Sequence, residues 1–171
     1  MSQTNFQSEP YDILKLRIST GFDSHKYRSG KQLIIGGVYI PFEYGMEAHS
    51  DGDVLIHSLI DALVSGCSEE TIGTLFPDSD SRYKGISSLI LLKETYQFVK
   101  KKIAAILSAD FVLILNHPLI NSYLLNMKKN IRSSLLLDIG NINIKAKRNE
   151  LNMLSAENGI ISFCTLLLKI K

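Results

Sequence analysis

The stretch GIISFCTLLLKI, residues 159–170, constrains the fold more than any other. It carries a single charge and is too short to cross a bilayer as a helix, which takes about 20 apolar residues. Such a run reads as a strand covered on both sides, with a second copy of the chain as one way to supply a cover. The remaining segments sort by period around it. LRISTGFD, 16–23, sets Leu16, Ile18 and Phe22 on the even positions of a strand expected to end near Asp23. KQLIIGGVYIPFEYG flanks Gly36-Gly37 with two β-rich runs, a hairpin signal, and Pro41 closes the second run. Asp51-Gly52 marks a turn, and DVLIHSLIDALVSG follows with helical apolar spacing until Gly66. Residues 70–85 read as loop, 86–107 as one long helix, 110–115 as a buried strand, 119–137 as a helix and 142–146 as a short strand. Helices and strands alternating after a hairpin give an α+β class. The expectation is a single layered domain over 16–171, a mixed sheet of four to five strands with helices on one face.

Composition removes several functional classes. No apolar run is long enough for a membrane helix, so no membrane role is expected. A net charge of +2 does not argue for nucleic acid, although Lys128, Lys129 and Arg132, and Lys145, Lys147 and Arg148, form two local basic clusters. Cys67 and Cys164 lie far apart in apolar surroundings and read as core thiols of a protein in a reducing compartment, the cytoplasm. Residues 1–15 lack the pattern of a secretory signal and read as a loosely ordered extension. A plastid-type organelle is the alternative location if that extension belongs to a longer precursor.

The chemistry-bearing residues cluster. Asp23 and His25 stand two apart, so an extended backbone turns both side chains to one face. His57 lies in the first turns of the next helix, with Asp53 at i−4 and Asp61 at i+4. If strand end and helix start meet, Asp23, His25 and His57 make a two-nitrogen, one-oxygen set that suits zinc with an open fourth position. A hydrogen-bonded core histidine is the bland alternative. AHSDGD puts Ser50 and free backbone amides before a helix, where an anion is favoured; helix capping explains the same residues. IGTLFPDSD offers Gly73, Phe76, Asp78 and Asp80 to grip a polyol, or makes a surface turn. Glu150 follows the basic run KAKR, where a carboxylate could hold a divalent ion bridging phosphates, or simply end a strand in solvent.

Taken in order, GFDSH, IIGGVYIP, AHSDGDVLIH, DALVSG and IGTLFPDSD resemble the 2-C-methyl-D-erythritol 2,4-cyclodiphosphate synthase family of the non-mevalonate isoprenoid pathway. The close match covers residues 17–80. The resemblance implies a homotrimer with active sites at subunit interfaces and zinc on Asp23, His25 and His57. It implies a magnesium or manganese ion on Glu150 and catalytic roles for His49, Ser50 and Asp61. The substrate would be a cytidyl diphosphate-linked polyol phosphate, held by Asp23, His25, His49, Ser50, Asp61, Gly73, Phe76, Asp78, Asp80, Lys147 and Arg148. The implied reaction expels CMP by intramolecular phosphoryl transfer.

Several positions depart from the family pattern: Ser19 and Thr20 precede the GFD motif, Thr71 replaces an aspartate, and His117-Pro118-Leu119 replaces Ala-Pro-Lys. Lys147, Arg148 and Asn149 stand where the family has threonines. Direct charge pairing by Lys147 and Arg148 in place of hydroxyl contacts is one reading of that exchange. The other is a zinc-binding homotrimeric module that has lost synthase activity.

Overall fold

The computed structural model describes residues 15–149 and 158–171; the expected extension, apart from Lys15, and Glu150 lie outside the described residues. In chain order the elements are β1 (Leu16–Ser29), β2 (Leu33–Ile35), β3 (Val38–Ile40), β4 (Tyr44–Met46), α1 (Val54–Ser65), α2 (Ile72–Leu75), α3 (Ser88–Val99), β5 (Ile103–Ile114), α4 (Leu124–Leu135), β6 (Ile142–Lys147) and β7 (Gly159–Ile170). Five strands form one sheet in the order β4-β1-β7-β5-β6, with β5 and β6 parallel and the other pairs antiparallel. The single α+β domain therefore has a mixed five-stranded sheet, and the apolar segment that demanded an interior position lies at its centre. β2 and β3 form the separate hairpin, whose Gly36 and Gly37 both adopt positive φ (60° and 69°), the conformation that a two-residue loop requires.

One face of the sheet carries the core. Ile160, Ser162, Cys164, Leu166 and Leu168 of β7 are all buried, and α1 packs across β1 and β7 while touching α3 on its other side. Ten residues of α1 are consequently buried, which is why its sequence is apolar nearly all round. The other face of β7 is only partly covered within this chain, since Thr165 and Lys169 are exposed. No described helix is long and apolar enough to cross a membrane.

Three boundaries differ from the sequence expectation. β1 continues six residues past Asp23 to Ser29, because Tyr27, Arg28 and Ser29 pair with β4. The even residues of β1 face away from the helices: Ile18 is 73% exposed and Phe22 49%. Its small and polar odd positions face α1 instead, because the helix comes so close that a Cβ on Gly21 would lie 2.0 Å from the Ser58 carbonyl oxygen. The long helix expected over 86–107 stops at Val99, and residues 103–107 open β5. No glycine or proline marks that break, so the apolar residues on either side of Lys100-Lys101-Lys102 read as one period. Finally, the 70–85 loop contains α2 and a 3₁₀ turn at Ser81–Tyr83, the first capped by Thr71 in a reciprocal capping box with Thr74.

Candidate active site

Asp23 and His25 project from β1 on the face toward α1, and His57 meets them from the second turn of that helix. Asp23 Oδ2, His25 Nε2 and His57 Nδ1 form a nearly equilateral triangle, with edges of 3.0, 3.1 and 3.1 Å. A tetrahedral ion with bonds of about 2.1 Å separates its ligand atoms by about 3.4 Å, so the donor set fits a divalent metal with little adjustment. Two imidazoles favour a borderline transition metal over magnesium or calcium.

The helix that delivers His57 is fixed at its start by Asp53. This fully buried carboxylate accepts from Ile56 N–H as the helix cap and from Gly36 and Gly37 N–H at 2.8 and 2.6 Å. The Gly-Gly hairpin and the helix that carries His57 are thus tied to one side chain. Burial, with the Asp51 carboxylate nearby, pushes Asp53 up to about 6 against the pull of those N–H donors. At Asp23, burial pushes the other way from its hydrogen bonds and loses: contacts and charge from His25 and His57 hold the carboxyl well below the usual carboxylate range. His57 is desolvated, yet Asp23, with Asp53 and Asp51 beyond it, raises its pKa above the ordinary value.

The triangle opens into a cavity of about 530 Å³. His49 and Ser50 line it together with Gly73, Phe76 and Asp78, so the two loops singled out in the sequence border the same cavity as the three donors. The 49–51 loop is fastened from behind, Gly85 N–H donating to the His49 carbonyl at 2.8 Å and Asp51 N–H to the Ile86 carbonyl at 3.1 Å. His49 Nε2 is buried without a hydrogen-bond partner among the described residues, a donor or acceptor available to a ligand.

Other expected residues lie elsewhere. Asp80 does not line the cavity: it caps the Ser81–Tyr83 turn through Arg82 N–H and pairs with the Arg82 guanidinium at 2.6 Å. Asp61 accepts from Phe22 N–H at 3.1 Å on the unpaired edge of β1. Lys147 and Arg148 line a second cavity of about 240 Å³ with Asn116, Pro118 and Leu119, which shares no lining residue with the first. The sequence reading missed Ser88. Its Oγ sits 2.8 Å from His57 Nε2 and donates to Asp51, and it was hidden inside an expected helix with nothing in its spacing to single it out.

The model of the YgbB family matches residues 16–169. The chain is 41% identical over 155 residues to the 2-C-methyl-D-erythritol 2,4-cyclodiphosphate synthase of Brachyspira hyodysenteriae, spanning 90% of this chain and 98% of that one. Its fold is similar to the bifunctional IspDF from Campylobacter jejuni, with a TM-score of 0.84 at 33% identity, covering 91% of this chain and 42% of that longer one. It is similar also to the CDP complex of IspF from Plasmodium falciparum, with a TM-score of 0.78 at 32% identity and coverage of 91% and 97%.

Proposed function

Since the chain belongs to the YgbB family, we infer that it forms 2-C-methyl-D-erythritol 2,4-cyclodiphosphate in isoprenoid precursor biosynthesis, acting as a phosphorus–oxygen lyase. The substrate is 4-diphosphocytidyl-2-C-methyl-D-erythritol 2-phosphate. An oxygen of its 2-phosphate attacks the β-phosphorus; the bond from that phosphorus to the bridging oxygen breaks, and CMP leaves with the electron pair. No protein nucleophile is required. The single observation that carries this reading is the Asp23–His25–His57 triangle, open to a cavity large enough for a polyol diphosphate.

Asp23, His25 and His57 would hold zinc, whose Lewis acidity polarises a phosphoryl oxygen and offsets charge in the transition state. The protein's share is alignment, worth several kcal/mol when attacking and leaving oxygens are held in line. His49 and Ser50 bind phosphate oxygens; Gly73, Phe76 and Asp78 fold the erythritol chain. Asp61 and Asp80 complete the substrate contacts in this scheme, Asp80 exchanging its Arg82 pairing for a substrate hydroxyl. Glu150 would carry magnesium or manganese, and Lys147 and Arg148 bind the cytidyl phosphates by direct charge.

We further propose a homotrimer with the site at each subunit interface. Support comes from the exposed Ile18 and Phe22 on the open sheet face and from the separation of the two cavities within one chain. The free thiols Cys67 and Cys164 support a cytoplasmic setting.

Purified protein with zinc, magnesium and the cytidyl substrate, followed by phosphorus NMR, tests the reading. Cyclic diphosphate and CMP are expected in equal amounts. Bound zinc with no cyclic product would instead identify a non-catalytic metal-binding module.

A further inference from the structure

We propose that Ser88 is a positioning residue for the metal centre: oriented by Asp51, it fixes the proton of His57 on Nε2 and so keeps the Nδ1 lone pair toward Asp23 and His25. The proposal rests on the metal reading above and concerns only this chain's own atoms.

A neutral imidazole carries one N–H, and ligation through one nitrogen needs that proton on the other. His57 Nδ1 belongs to the donor triangle, so Nε2 must be the donor. Two hydroxyls face Nε2, Ser88 Oγ at 2.8 Å and Ser50 Oγ at 3.0 Å. A hydroxyl can accept or donate, so the outcome depends on where its own proton is committed.

Ser88 has that commitment. Its Oγ donates to Asp51 Oδ1, a carboxylate oxygen that only accepts, which leaves a Ser88 lone pair facing His57. Asp51 cannot turn away, because Oδ2 takes Ser88 N–H at 2.9 Å, Oδ1 takes Asp53 N–H at 3.2 Å, and Asp51 N–H is bound to Ile86. Ser88 itself is 0% exposed, so no bulk water can substitute for its hydroxyl. Ser50 is half-buried and accepts a long contact of 3.3 Å from Gly52 N–H, with no carboxylate to orient its proton. Ser50 follows whichever tautomer His57 adopts; Ser88 dictates it. Without that dictation the proton is free to move to Nδ1, where it would donate to Asp23 Oδ2, 3.0 Å away, and close the ligand position.

The relay also explains a feature of α3. Ser87, its N-cap residue, makes no side-chain capping bond; the first helical N–H, that of Ser88, is satisfied by Asp51 from the metal-site loop. Helix start and metal site therefore share one carboxylate.

The test compares the full-length wild type with Ser88→Ala, Asp51→Asn and Ser50→Ala. Zinc affinity is read by chelator competition, and the His57 tautomer by long-range proton–nitrogen NMR of the metal-stripped protein at a pH above the raised His57 value, where the imidazole is neutral. Ser88→Ala is expected to weaken zinc about 10- to 100-fold and to move the His57 proton from Nε2 to Nδ1. Ser50→Ala is expected to leave the tautomer unchanged and to weaken zinc less. Asp51→Asn keeps the shape of the side chain at position 51 but turns one acceptor into a donor, so it should shift the tautomer as Ser88→Ala does, and it serves if Ser88→Ala does not fold. Unchanged zinc affinity and an unchanged tautomer in the folded variant would overturn the relay alone. A wild type that takes up no zinc would overturn the metal reading itself.

Discussion

The Asp23–His25–His57 centre and the Lys147–Arg148 cavity differ in how their side chains are held. At the centre each donor sits on a regular element and is at least half-buried, and His57 is braced from behind: Asp53 anchors the helix start, and Ser88 and Asp51 stand behind the ring. At the second cavity the charged side chains are exposed at the end of β6, where the backbone is held by Leu115 N–H on the Lys147 carbonyl. A braced site selects by geometry and tolerates little displacement. An exposed cationic rim acts through charge, which is long-ranged, forgiving of position and screened by salt.

The comparison can be broken most forcefully at His57. His57→Ala should abolish metal uptake and lower turnover at least about a hundredfold, measured as bound zinc and CMP release on the same samples; loss of turnover with zinc retained would mean the geometry is not what matters.

The same cluster fixes a pH response. Asp23 is held below its ordinary value of 3.8, so its stabilising contribution is present above that pH and is lost as the solution becomes more acid. His57 is raised above 6.5, so its contribution is complete below that pH and is lost as pH climbs through the raised value. In chelator-treated protein, the stability difference between wild type and His57→Ala should therefore be largest between pH 3.8 and 6.5 and shrink on both sides. Thermal unfolding across pH checks this.

Asp53→Ala should follow in size, costing about 3 kcal/mol in urea unfolding, because it removes a helix cap and orphans the buried Gly36 N–H at once. The smallest effect is expected at the exposed rim. Lys147→Ala or Arg148→Ala should raise KM for the cytidyl substrate about tenfold, roughly 1.4 kcal/mol for a charge-assisted contact, with metal content unchanged. That effect should fade as salt is added, whereas the His57→Ala defect should persist.

Legibility in the sequence followed the same division. The three donors could be singled out as candidates because a two-residue strand spacing and a helix start each impose a direction on the side chain; their meeting at one point is what the fold supplied. Asp80 shows a limit of local pattern: the choice between a substrate hydroxyl and Arg82 depends on a neighbour two residues away adopting a 3₁₀ turn. Ser88 marks a different limit. It lies 31 residues from His57, on an element whose start the sequence left blurred, and only the docking of α3 beside α1 brings the two together.

Local pattern by itself determined that β7 must be an interior strand, that a glycine pair must turn the hairpin, and that Asp23 and His25 share one face of a strand. These follow from backbone direction and from the cost of exposing apolar surface, which neighbouring residues already express. Tertiary structure alone decided which face of β1 meets α1, which carboxylates are spent on capping, and which serine braces the histidine. Those outcomes depend on how closely two packed elements approach, a distance set by the whole core and carried by no single segment.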